Sequence, residues 1–387
     1  MGSLLGIMPA TLIVMISIYA LVLLLLAVGL WRLPRSTPVP DQRLPFVSVI
    51  VACRNEEVDL PACLAALERL DFPRDRLEIL LVDDRSTDGT GRIIAEAARR
   101  HRHVRALSTT GLAEGRLRAK ARGVAHAARQ AKGDWLFITD ADAVVHPGWI
   151  RHMLSRTDER TGLIAGMMLG KGGTLPGIIE RLSWAYALPF AFGLAGWGAT
   201  WLCVGPNMAV RRRPYLDAGG LEAADFRIAE DLAIFRLVFG QGYRAVAHAS
   251  AETTVHMSPV PSLRHLLSQQ RRWLRGGFEG PWYVGAGLVF TFGYHFIMSL
   301  LLLAGWFIAP VVTGAAWAVK WLTDTVMIGV EAHRIQARGL RRMTPLLLVF
   351  SVPAFLWLPP SLLLIPQVRW MGEGYAVNYG RPRQTAP

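Results

Sequence analysis

The sequence predicts an α/β protein, a doubly wound and mostly parallel sheet flanked by transmembrane helices, on three observations. Between residues 46 and 251 short apolar, β-branched runs alternate with segments of helical spacing. An uncharged apolar run covers residues 11–31, and apolar runs return from residue 284 onward. The apolar fraction is 52% against 18% charged residues, too greasy for a purely soluble chain and too polar for one lying wholly in a membrane. A chain of 387 residues has room for one large domain between membrane segments.

The first apolar run has roughly the 20 residues needed to cross a bilayer. No Lys or Arg precedes it, so the basic stretch of a secretory signal is missing. Arg32 and Arg35 follow it at once, and basic residues beside a span mark the cytoplasmic face. Segment 1–33 is therefore read as a span entering the cytoplasm. Segment 34–45, with Pro34, Pro38, Pro40 and Pro45, is a stiff linker.

Segment 46–260 is the expected cytoplasmic catalytic domain. Residues 47–52, 77–82 and 135–139 read as strands, and residues 58–70 and 91–100 as helices. In such sheets ligands bind outside the carboxyl ends of the strands. Segment 261–282 reads as an interfacial helix. Segment 283–370 carries expected spans at 284–304, 305–322 or slightly later, and 346–365, kinked by Pro310, Pro353, Pro359 and Pro360. The basic turn with Arg334, Arg338, Arg341 and Arg342 should be cytoplasmic. Segment 371–387 is a tail, which four crossings would place outside.

The net charge is +13, carried almost wholly by Arg, since only Lys120, Lys132, Lys171 and Lys320 are lysine. The arginines lie beside apolar runs, which favours anionic lipid headgroups over nucleic acid as the partner. Cys53, Cys63 and Cys203 are odd in number and unpatterned, which argues against a disulfide framework and a zinc site.

Chemistry gathers at strand ends. Asp83-Asp84 closes one expected strand, and Asp140-Ala141-Asp142 closes another. An Asp at such a turn can simply cap the following helix. Two carboxylates at i, i+2 on a loop can instead hold a hard divalent cation that also ligates phosphate oxygens. Glu230-Asp231 begins a helical segment, either as favourable charge at a helix start or as a general base for an acceptor hydroxyl. Gln269-Gln270-Arg271-Arg272-Trp273 reads either as interfacial charge with a boundary Trp or as a binding motif. Residues 182–204 are nearly uncharged and aromatic, with Trp184, Phe190, Phe192, Trp197 and Trp201. They form either a buried helix of the catalytic domain or an apolar wall for a lipid.

These pieces in this order resemble the membrane-bound branch of glycosyltransferase family 2, whose fold is called GT-A, from Val47 to about Gly277. The resemblance implies a nucleotide-contacting strand and loop at Val49-Ile50-Val51-Ala52-Cys53-Arg54-Asn55-Glu56-Glu57, with Ala52 where Pro is more usual. It implies donor-nucleotide contacts from Ala52, Arg54, Glu56, Asp83, Asp84 and Asp140, with Arg116 as donor-site cation where relatives carry Lys. Asp140 and Asp142 would hold Mg²⁺ or Mn²⁺, Asp142 being the direct ligand. Asp231 would be the catalytic base, with Glu230 as its neighbour. Gln269, Arg272 and Trp273 match a QxxRW signature that binds the diphosphate and walls the acceptor site. The tail Val368-Arg369-Trp370-Met371-Gly372 resembles a Trp-x-Gly ending assigned to the cytoplasm, in conflict with four crossings.

The implied function is an inverting hexosyltransferase of a bacterial inner membrane, taking a hexose or N-acetylhexosamine from a UDP-linked donor to a lipid hydroxyl. Bacterial relatives of this shape include enzymes of hopanoid, sphingolipid (ceramide-type) and carotenoid glycosylation. A processive polysaccharide synthase is the alternative, although channel-forming synthases generally have more spans. No G-x-G-x-x-G follows the first strand, and Gly170-Lys171 lacks the rest of a P-loop, which argues against an oxidoreductase and an NTPase. A non-enzymatic receptor or scaffold would not need acidic pairs at three strand or helix ends.

Overall fold

A computed structural model describes residues 2–376 apart from 114, 200–202, 226–227, 280–281, 365–366 and 371–372. The α/β segment is built on β1 (Val47–Cys53), β2 (Leu77–Asp83), β3 (Val104–Ser108), β4 (Trp135–Asp140), β5 (Ala143–Val144), β6 (Thr161–Gly166), β7 (Met168–Gly170), β8 (Asn207–Arg211), β9 (Arg244–His248) and β10 (Val255–Met257). Seven of these form one sheet in the order β3-β2-β1-β4-β8-β6-β9. β3, β2, β1 and β4 run parallel, whereas β8 is antiparallel to both neighbours, so the sheet is mixed at its second half.

The expected strands each gain one residue at their carboxyl end, and the first helix is shorter than expected, spanning Leu60–Glu68. The central strands are almost wholly buried and mostly apolar, with Ser48 donating to Glu78 across them, because helices such as Leu60–Glu68 and Thr90–Arg100 connect parallel neighbours and cover the sheet faces. Register places Ala52 beside Asp140 and Cys53 beside Asp83, so all three strands end on one rim. A small second sheet, β5-β10-β7, stands next to that rim.

Among the described residues three helices are long and apolar enough to cross a membrane, within Ile7–Arg32, Gly285–Ile308 and Thr344–Ser361. The middle expected span, at 305–322 or slightly later, does not begin at residue 305. The chain breaks at Ala309, and a separate helix, Pro310–Arg334, carries Lys320, Asp324 and Glu331. Arg334 hydrogen-bonds the carbonyls of Trp31 and Ala249, so the basic turn and Arg32 share the end of the bundle that faces the α/β domain.

The aromatic stretch begins earlier than expected, as the helix Leu175–Gly196, and it joins this bundle. Gly193 and Gly196 lie against Gly29 of the N-terminal helix, where any Cβ would strike the facing backbone. Trp197 Nε1 donates to Leu25 O at 2.9 Å. Trp201 lies outside the described residues.

Candidate active site

The loops after β1 and β2 are stitched to each other before any ligand arrives. Asn55 sits at φ 57°, and its carboxamide oxygen accepts from Thr87 N at 2.8 Å. Glu56 N donates to Thr90 Oγ1 at 2.7 Å, and Gly89 N donates to Glu57 Oε2 at 2.7 Å. This cross-linking fixes the rim over which a cavity of about 590 Å³ opens. Ala52, Arg54, Glu56, Asp84, Asp140, Asp142, Glu230, Asp231, Gln269, Arg272 and Trp273 all line it.

Two expected residues stand apart from the cavity lining. Asp83 turns to its own loop and accepts from Ser86 N at 3.0 Å. Arg116 is occupied elsewhere, donating to the carbonyls of Glu222 and Ala224 and facing Asp225 at 3.8 Å. Asp84 does reach the cavity, but both its oxygens are bound to Arg122 at 2.8 and 3.0 Å, with Thr109 Oγ1 at 2.5 Å. Its role in this fold is to hold the loop after β3 and the helix Ala119–Gln130 at the rim.

Besides Arg54 and Arg272 the cavity holds a buried cation, Lys120, which motif reasoning missed. Its ammonium touches Asp140, lies 3.3 Å from Glu230 Oε1 and donates to Gly205 O at 3.1 Å. Ala119, fully buried at φ 47°, turns the chain so that Lys120 points inward, a left-handed conformation that costs of order 1 kcal/mol outside glycine. Burial would push the Lys120 pKa down, yet Asp140 and Glu230 outweigh it and hold it above the lysine value. The available signal was rarity, because Lys is scarce in an Arg-rich chain.

The carboxylates crowd one another. Burial, then Asp142 and Asp140, lift Glu56 to a pKa of about 8. Burial and then Asp140 lift Asp142 to about 7. Glu230 is also raised by burial, partly offset by Lys120. Asp231 has its own hold: Oδ2 accepts from Gly205 N at 3.0 Å and Oδ1 from Leu232 N at 2.8 Å.

The far wall comes from two helices. Glu180, Trp184 and Leu188, spaced i, i+4, i+8 on Leu175–Gly196, share the face that lines the cavity. The QxxRW residues sit on Leu263–Gly277, started by Ser262 accepting from His265 N. Trp184 and Trp273 meet with ring centroids 3.9 Å apart. Gln270 Nε2 donates to Ser183 Oγ at 2.8 Å, clamping the helices together. Glu180, buried and raised in pKa by that burial, accepts from Val260 N at 3.1 Å and from Gln269, while Gln269 Oε1 is buried without a hydrogen-bond partner. Glu180 also escaped sequence reasoning, hidden as one acid within a long apolar stretch.

Comparison with known proteins adds a family. Residues 11–382 match the family model of glycosyl transferase family 21. The chain belongs to glycosyl transferase family 21. The motif resemblance pointed to family 2, a different family name. Short motifs sample only the rim and its helices, whereas the full-length match includes the bundle as well.

Among its relatives, the "Probable glycosyltransferase YdaM" of Bacillus subtilis is 28% identical over 243 residues, covering 61% of this chain and 56% of that one. A Beta-monoglucosyldiacylglycerol synthase of Nostoc sp. is 32% identical over 111 residues, 29% of this chain and 23% of that one. The chain thus spans about half or less of the length of these curated relatives. In structure it is similar to the mannosyltransferase PcManGT from Pyrobaculum calidifontis, solved in complex with GDP-Man and Mn²⁺. The TM-score is 0.54 at 19% identity, covering 90% of this chain and 99% of that one, a likeness of fold.

Proposed function

We propose that this chain is a membrane-anchored, inverting glycosyltransferase that moves a hexose or N-acetylhexosamine from a UDP-linked donor to a lipid hydroxyl. The observation that carries the reading is one cavity with two unlike ends. At one end lies the carboxylate rim of Glu56, Asp140 and Asp142, and at the other the Trp184–Trp273 wall beside the helix bundle. Asp231 lines the same cavity.

Among the described residues no three His, Cys, Asp or Glu form a complete metal cage. The donor set still fits a hard cation. Asp140 and Asp142 supply oxygens only, and their mutual repulsion with Glu56 is what a divalent charge relieves. Mg²⁺ or Mn²⁺ held there supplies charge neutralisation for a departing nucleoside diphosphate. Lys120 holds Asp140 and Glu230 in place beside it. Asp231, fixed by Gly205 N–H, takes the proton of the acceptor hydroxyl on the opposite side of the sugar. Arg54, Gln269 and Arg272 line the same cavity and contribute donors toward the diphosphate and acceptor.

The diacylglycerol-modifying relative supports a lipid acceptor, as does the apolar wall that leads to the bundle. GDP-Man and Mn²⁺ in the structural neighbour support a nucleotide sugar and a divalent cation. The anchor reading places Arg32, Arg35 and the turn 334–342 at the cytoplasmic face of a bacterial inner membrane, where nucleotide sugars are made. Purified chain in detergent, given UDP-sugars and a lipid extract, should release UDP only with the lipid and the cation present. Chelator should abolish release and added cation restore it. UDP release that ignores both lipid and chelator would sink the proposal.

A further inference from the structure

Where the N-terminal helix meets the catalytic domain, two arginines converge on one short stretch of backbone and a third, Arg35, lies close enough to act on one of them as a like charge. Arg156 Nη1 lies 3.5 Å from Ala247 O, and Arg334 Nε donates to Ala249 O at 3.2 Å. Arg334 Nη1 reaches Trp31 O at 3.5 Å, while its Nη2 is buried without a hydrogen-bond partner. Arg35 follows that helix end, and its neighbour Ser36 is pinned to Ser250 Oγ and His152 Nδ1, each at 3.0 Å. Trp31 stacks on His333 at 5.2 Å beside them, the kind of aromatic found at a bilayer boundary.

The arrangement is electrostatically unbalanced. Nearby arginines are matched, Arg151 by Asp41 and Asp71 and Arg244 by Asp158. Arg35, Arg156 and Arg334 have no carboxylate within ion-pair distance among the described residues. Arg35 and Arg156 instead act on Arg334 as like charges. Arg156 also adopts a left-handed backbone, φ 64°, to sit there. Backbone carbonyls take up part of the donor capacity of Arg156 and Arg334, and an anion is needed to balance the charge of the three guanidinium groups.

We propose that Arg35, Arg156 and Arg334 form a phosphate-binding site at the membrane boundary, occupied by the phosphodiester of an anionic phospholipid. The inference rests on the membrane anchoring proposed above and not on the identity of the acceptor. The bundle end supplies the location, since a lipid phosphate sits at the level of the boundary tryptophan, and free phosphate has no reason to prefer it.

Native mass spectrometry of the full chain in mild detergent tests this, with phosphatidylglycerol, phosphatidylcholine or inorganic phosphate added. Phosphatidylglycerol should be retained over phosphatidylcholine, with affinity falling about fivefold for each arginine removed. Arg156→Gln/Arg334→Gln should therefore lose most of the bound lipid, and Arg213→Gln, an exposed arginine elsewhere, none. Donor turnover in the same preparations reports folding and the catalytic reading separately. If the double variant does not fold, the exposed Arg35→Gln decides alone, because it has no packing to lose. Equal retention of phosphatidylglycerol by parent and variants would overturn the site, as would equal binding of phosphatidylcholine. Displacement of the lipid by inorganic phosphate at equal concentration would overturn the lipid as its occupant.

Discussion

Two of the four lysines are buried beside an aspartate, and they end in opposite circumstances. Lys320 and Asp324 sit one turn apart on a single helix, 2.6 Å from Nζ to Oδ2. Tyr19 donates to Asp324 from the N-terminal helix and meets Tyr186 at 3.0 Å, and Tyr186 meets His295 Nε2 at 2.9 Å. His295 is closed in turn by Thr291 O at 2.8 Å, and the ammonium lies over the Tyr19 and Tyr186 rings. Four helices thus contribute to one closed polar chain. Lys120 instead gathers carboxylates from separate elements at the edge of a 590 Å³ cavity, where Gln269 Oε1 has no partner. A satisfied network rigidifies what surrounds it, while an unsatisfied one beside open space is set up for a ligand. Burial and residue type are shared, so closure of the network is what separates a strut from a site.

The comparison breaks first on Asp231. If the open cluster is catalytic, Asp231→Asn should cut turnover by roughly 10²–10⁴-fold while donor affinity, followed by calorimetry, stays near that of the parent. Turnover within a few-fold of the parent would move the base to Glu230. Collapse of donor binding would move Asp231 into the nucleotide or metal site.

The closed network predicts a stability effect of comparable weight. Lys320→Met strands the Asp324 charge inside the bundle and should cost about 3–5 kcal/mol, read from thermal unfolding in detergent. Lys320→Met/Asp324→Leu should recover most of that loss. Lys120→Met should lower turnover with less than half the destabilisation, because its carboxylates open onto the cavity. A double variant no better than the single would mean that the pair is not the strut described here.

His248 sharpens the contrast as a buried group with no ionic partner. It is fully buried, and burial followed by the charge of Arg156 depresses its pKa from 6.5 to about 3. Above pH 6.5 both folded and unfolded chains carry it neutral. As pH falls toward 3 the unfolded chain binds a proton that the folded one refuses, so stability is lost in that window. The loss is about 2 kcal/mol at pH 5. His248→Gln should flatten the acid limb of the unfolding midpoint against pH, and an unchanged limb would assign the acid sensitivity elsewhere.

The smallest expected effect tests the far wall. Trp184→Phe removes part of the contact with Trp273, a kind of pair worth about 0.5–1.5 kcal/mol. KM for the lipid acceptor should rise by the corresponding factor, about two- to tenfold, while KM for the nucleotide sugar holds. A change in the donor KM alone would place Trp184 on the donor side of the cavity.

Much of the site was legible because strand ends announce themselves. Asp140 and Asp142 close an apolar run, Asp231 opens a helix, and the QxxRW residues fall together on one amphipathic helix, so local pattern was enough to bring forward residues that line one cavity. Arg116 and Lys120 were not separable in that way. Both lie in one basic stretch, and the choice between them depends on the carbonyls of Glu222 and Ala224, about a hundred residues away, capturing Arg116. The break at Ala309 was equally hidden, since the apolar run continues through it.

By itself the sequence determined the alternation of strands and helices, the rim on which the acids fall and the apolar lengths of the flanking helices. Those properties follow from periodicity and from the few residues on either side of each element. Tertiary structure alone decided that Lys120 and not Arg116 enters the cavity, that Asp84 is spent on Arg122, and that the aromatic helix joins the bundle while lending one face to the site. Each of these depends on which distant donor reaches a buried oxygen first, and on glycines that let two helix backbones touch.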